Sequence, residues 1–252
     1  MAHASPASGI GHCPPDYLAA YDAVLDRWPV PYESRFVPTR FGLTHVVVSG
    51  PTAAPPVVLV PMAFGGAVAW ATRMAAVSKR CRAYALDLVG EPNRSISISP
   101  IRTREDFAAW FDDLFSGLGL KLTAMIGCAE GGLLCLNQAA VRPHSVSRLV
   151  IISSAVYRVS CASLTPVQWF EFYGKAMAEG RLINRVAPSI YRDARLRSIL
   201  APTLLVLDYT EILDEPENLL SRAASLMPNA EIVTAGQAGW FENAVGYLAM
   251  SD

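Results

Sequence analysis

The stretch Met125-Ile-Gly-Cys-Ala-Glu-Gly-Gly132 decides how this chain is read. An apolar run ends in it, Gly127 and Gly131 bracket three residues, and an apolar segment of helical character follows at once. That spacing suits a strand turning sharply into a helix, because side chains at the two glycine positions would collide with the residue at the tip. Working outward, 57–60, 83–86, 122–126, 149–152 and 203–207 are short, predominantly apolar runs, as strands buried on both faces require. Between them, Phe107, Trp110, Phe111, Leu114, Phe115 and Leu118 recur at steps of three and four, which predicts an amphipathic helix. Thr103 and Asp106 stand at capping-box spacing at its start. Buried strands alternating with amphipathic helices predict an α/β fold with a doubly wound, mostly parallel sheet.

Residues 1–15 read as a flexible tail and 16–28 as a helix that Pro29 and Pro31 stop. The runs 35–38 and 43–49, the second rich in β-branched residues, with turn chemistry at Gly42, suggest an antiparallel hairpin ahead of the buried strands. Residues 155–200 break the alternation with Trp169, Phe170, Phe172, Tyr173 and an arginine-rich end, and are read as a short helical lid. This divides the chain into a first core part (16–154), the lid, and a last core part (201–252).

With 52% hydrophobic residues among 252, one large core can form. A formal charge of -1 without a basic run gives no footprint for nucleic acid or an anionic membrane surface. The five cysteines are odd in number and lack metal-ligand spacing, no signal peptide is recognisable, and no apolar run reaches the length of a membrane span. A cytoplasmic protein is the expectation. No dinucleotide fingerprint, P-loop or metal cluster is found, so no cofactor and no metal are expected.

Three segments in this order resemble the α/β-hydrolase superfamily, in its small bacterial esterase-like branch, over nearly the whole chain. They are Val57-Val-Leu-Val-Pro-Met-Ala-Phe-Gly-Gly66, Tyr84-Ala-Leu-Asp-Leu-Val-Gly-Glu-Pro-Asn-Arg-Ser95 and the Gly127–Gly132 turn. The resemblance implies a nucleophile elbow, in whose register the nucleophile position is Ala129. Using Cys128 instead would put Ile126 and Glu130 where glycines belong, so it reads as a buried thiol. The catalytic histidine position falls on Ala238 or Gly239, and the acid position on Glu211. The four histidines all lie far upstream: His144 reads as a solvated helix end, and His45, in the early hairpin, is not read as a base. Pro61 and Met62 replace the family's usual His-Gly, while the oxyanion hole is expected from the backbone amides of Ala63 and Glu130.

A triad degenerate at two positions implies chemistry other than serine hydrolysis. The expectation is a cofactor-independent, non-hydrolytic cyclase, isomerase or lyase of secondary metabolism, acting on a small apolar carbonyl compound. Glu130 and Glu211 are its candidate acid and base. Met62, Phe64, Cys128, Trp169, Tyr173 and Trp240 are candidate substrate contacts, although the aromatics suit the lid's own core equally well. Glu130 can alternatively cap its helix, and Asp87 reads as a structural residue holding the loop after its strand. Two other readings stay open: an inactive pseudo-hydrolase that binds a ligand or partner, and an atypical esterase using water activated on a glutamate. A homodimer is compatible with either.

Overall fold

The computed structural model describes residues 15–152, 193–207, 226–235 and 238–250. Its strands are β1 (Tyr32–Thr39), β2 (Gly42–Ser49), β3 (Pro56–Val60), β4 (Arg82–Leu86), β5 (Ile96–Ser97), β6 (Thr123–Cys128), β7 (Val146–Ile152), β8 (Thr203–Leu207) and β9 (Ala230–Thr234). They form one sheet in the order β1-β2-β4-β3-β6-β7-β8-β9, with β5 paired to β2. β2 runs antiparallel to β1, β4 and β5, and every pairing from β4 through β9 is parallel. The doubly wound, mostly parallel α/β-hydrolase architecture expected from the sequence is therefore the one observed.

The described helices are α1 (Pro15–Leu25), α2 (Ala71–Val77), α3 (Arg104–Leu118), α4 (Glu130–Val141), α5 (Asp193–Arg197) and α6 (Trp240–Leu248). Strand side chains alternate between two cores, as a period of two requires. Val58, Val60, Met125 and Leu149 pack with Trp110 and Phe111 of α3 on one face. Val57, Leu59, Ile126 and Val150 pack with Met74 of α2 and Phe241 of α6 on the other. No helix among the described residues is long and apolar enough to cross a membrane.

Local chemistry accounts for most boundaries. Thr103 caps α3 by accepting from the Asp106 N–H at 3.0 Å, and Asp106 reaches back to the Thr103 N–H at 2.9 Å. Gly119, left-handed at φ 72°, ends that helix. Two expected boundaries shift. α1 stops at Leu25, before the prolines, and Trp28 instead anchors the connection through its indole N–H to Ser49 at 3.0 Å. β6 runs on to Cys128, beyond the expected end at 126, because the hydrogen-bonded register with β7 continues to the turn itself. Most of the expected lid, 153–192, lies outside the described residues.

Candidate active site

Ala129 is the sole residue between the end of β6 and the start of α4, at φ 49° and ψ -117°. Its N–H donates to the Ile152 carbonyl at 3.0 Å, and its own carbonyl accepts from Gly132 at 2.9 Å. The flanking glycines are required by close approach. A Cβ on Gly127 would stand 2.5 Å from the Gly131 carbonyl oxygen, and one on Gly131 would stand 2.2 Å from that of Pro61. Beside the elbow, the loop after β3 holds Phe64 at φ 60°. Among the described residues, Phe64 and Ala129 are the non-glycine positions with positive φ, so backbone strain concentrates on two loops at the carboxyl ends of adjacent strands. Strain of this kind costs about 1–3 kcal/mol per residue and collects at functional sites.

Two carboxyl groups address successive amides of the β3 loop. The Phe64 N–H donates to Glu91 at 2.9 Å, and the Ala63 N–H reaches Glu130 at a long 3.4 Å. The Tyr17 hydroxyl donates to the Phe64 carbonyl at 3.0 Å. Burial pushes the Glu91 pKa up to about 8; the Phe64 amide opposes this, and the carboxylates of Glu130 and Asp87 add to it by repulsion. Glu91 is thus largely neutral near pH 7 and has a proton to give.

Glu130 therefore sits at the elbow with its carboxylate turned toward the Ala63 N–H; no side chain caps α4 at Ala129. As the first residue of α4, Glu130 also has a backbone N–H without an intrahelical acceptor. Met62 is half-buried beside Gly65, and Phe64 is buried. Cys128 is wholly buried in the core that contains Trp70 and Ile126, and so is closed to solvent. Trp240 begins α6, with the Arg73 guanidinium 5.4 Å above its ring. Ala238 and Gly239 form the exposed turn before it. Glu211, Asp208, Trp169 and Tyr173 lie outside the described residues. No group of three or more His, Cys, Asp or Glu that could hold a metal occurs among the described residues.

Sequence reasoning missed Glu91, although it stands in one of the segments carrying the resemblance, because its partner Phe64 is 27 residues away. It placed His45 only in the early hairpin; in the structure both ring nitrogens of that residue, on β2, have close polar partners. His45 Nδ1 lies 2.9 Å from Asp87 Oδ2 with both side chains wholly buried, and His45 Nε2 lies 2.6 Å from the Ser34 hydroxyl. Asp87 additionally accepts from the Ala67 N–H at 2.7 Å, the Arg94 N–H at 3.1 Å and the Tyr21 hydroxyl at 3.0 Å. The loop after β4 is thereby tied to α1, β2 and the loop after β3.

The alpha/beta hydrolase fold family matches residues 55–195. Two proteins of Bacillus subtilis, the uncharacterized carboxylesterase nap and carboxylesterase YbfK, are each 32% identical to this chain; the matches cover 88% and 86% of it and 85% of each relative. The crystal structure of the naproxen esterase (carboxylesterase NP) from B. subtilis superposes with a TM-score of 0.73 at 29% identity, covering 91% of this chain and 95% of that one. That of carboxylesterase CesB from the same organism gives 0.75 at 27% identity, with the same coverage. These relatives are esterases, which overturns the expectation of a non-hydrolytic cyclase, isomerase or lyase. That expectation rested on two side-chain positions, whereas the similarity runs along nearly the whole chain. The chain belongs to the α/β-hydrolase fold family.

Proposed function

We propose that this chain acts on carboxylic esters in the gap between the β3 loop and the elbow, and cleaves them by direct attack of water. The observation that carries the reading is the pairing of two carboxyl groups with the Ala63 and Phe64 amides, in a chain whose relatives are named carboxylesterases. Ala129 has no hydroxyl, so an acyl-enzyme at the elbow is excluded and the nucleophile has to be water. An ester carbonyl displaces Glu130 from its long contact with the Ala63 N–H, and that amide, with the Glu130 N–H, then holds the developing oxyanion. The released Glu130 carboxylate takes a proton from the attacking water. Glu91, neutral near pH 7, supplies one to the departing alkoxide.

A second reading is favoured by Ala129 itself: the site binds esters without turning them over. Steady-state hydrolysis of a series of unactivated methyl alkanoates, followed as acid release, separates the two. The proposal expects slow turnover that falls at least roughly a hundredfold in kcat in Glu130→Gln. Ester-induced thermal stabilisation without product would establish the binding reading, and turnover unchanged in Glu130→Gln would remove the carboxylate route.

A further inference from the structure

We propose that Ser34, His45 and Asp87 form a second nucleophilic site, at the open edge of the sheet, that takes activated aryl esters. Asp87 is buried, and its oxygens act as acceptors for Ala67, Arg94 and Tyr21, so its remaining contact with His45 Nδ1 is satisfied by an N–H on that nitrogen. The imidazole lone pair then lies on Nε2, and Nε2 faces the Ser34 Oγ at 2.6 Å. The order is hydroxyl, Nε2, Nδ1–H, carboxylate, in which the acid fixes the tautomer and the base takes the hydroxyl proton.

The sheet register opens this arrangement to substrate. Ser34 is exposed while both of its supporting side chains are wholly buried. His45 directs its backbone N–H to Ser95 Oγ at 2.9 Å, and its carbonyl accepts from the Asp87 N–H at 3.0 Å, both away from β1. Phe36 and His45 are therefore a non-hydrogen-bonded pair, and Ser34, two residues along, shares that parity. Among the described residues β1 is the outermost strand, so the Ser34 N–H points out of the sheet edge beside its own hydroxyl, a backbone donor for an oxyanion. Tyr32 and Phe36, on the same face of β1, are 39% and 48% exposed and give an aryl group apolar surface on either side of the hydroxyl.

In the reaction, Ser34 Oγ bonds to the acyl carbon as its proton passes to His45 Nε2. The bond to the aryloxide breaks, and the aryloxide leaves with that proton. Water, deprotonated by Nε2, then attacks the acyl-serine; the bond from the acyl carbon to Oγ breaks, the free acid leaves, and Nε2 returns the proton to Ser34 Oγ. None of these steps uses the elbow, so this site stands or falls independently of the reading above.

The test is to treat the full chain with an aryl-tagged fluorophosphonate and locate the label by peptide mass mapping. The label is expected on Ser34, with loss of fluoride, at least roughly tenfold faster than in the urea-unfolded chain. Ser34→Ala, exposed on an edge strand, is expected to stay folded, with no more loss of melting temperature than one hydrogen bond gives, and to lose the label, along with any stoichiometric burst of p-nitrophenol from p-nitrophenyl acetate. Labelling at another residue, no labelling, or an equal rate in the unfolded chain overturns the proposal. The mapping on the unaltered chain decides the matter even should Ser34→Ala fail to fold.

Discussion

The Phe64 amide donates to Glu91 at 2.9 Å, joining the strained loop after β3 to the loop after β4 through a carboxyl group that burial holds protonated up to about pH 8. Because this pKa is raised on folding, the folded chain binds more protons than the unfolded one from about pH 4.5 upward. The associated stability is complete below that point and is lost as pH rises through about 8. Glu91→Gln keeps an acceptor for the Phe64 amide and cannot ionise. Denaturant titrations at pH 5 and pH 8 are expected to show the Gln variant losing less stability across this interval, by about 1 kcal/mol or more.

Gly131→Ala should be the most damaging small substitution at the elbow. Its Cβ would meet the Pro61 and Val60 carbonyl oxygens at 2.2 and 2.5 Å, and backbone atoms of a central strand cannot step aside. A loss of about 3 kcal/mol or more is expected in urea unfolding. Ala129→Gly, at a φ of 49°, is expected to stay within about 1 kcal/mol of the parent chain or to gain slightly, because glycine relieves the strain.

Asp87→Ala removes the acceptor on which four elements converge. A cost of about 3–5 kcal/mol is expected, since the buried donors of His45, Ala67, Arg94 and Tyr21 are left unanswered together. Tyr21→Phe deletes one donor and should cost about 1.5–3 kcal/mol. Equal losses in the two variants would show that Asp87 works through Tyr21 alone.

Thr103→Ala should cost about 1 kcal/mol, read as a drop in melting temperature, because the Asp106 amide loses its acceptor at the start of α3.

The winding of this fold was legible because the five apolar runs and the amphipathic α3 each carry their own period. The weaker edges were less so. β5 has only two residues, and β9 buries its side chains incompletely, so neither leaves a strong hydrophobic pattern. The elbow could be read from two glycines, since its constraint is local and steric. The contact of Glu91 and the hydrogen-bonded chain Ser34–His45–Asp87 could not be, because their partners meet only after the sheet has formed, up to 42 residues apart. The expectation of non-hydrolytic chemistry erred for a related reason: it weighed the register of two positions, Ala129 and Ala238 or Gly239, above a likeness spread over the chain.

The order of strands in the sheet is not their order along the chain, and one consequence concerns where any ligand sits. From β3 the polypeptide departs toward β4 on one side and, after β4, crosses back to β6 on the other. Two connections leaving in opposite directions open a crevice at the carboxyl ends of those strands, and the amides of Ala63, Phe64 and Glu130 belong to its rim. The location is thus inherited from the path of the backbone. Side chains at the rim can be exchanged one by one while the crevice itself persists as long as the chain winds this way.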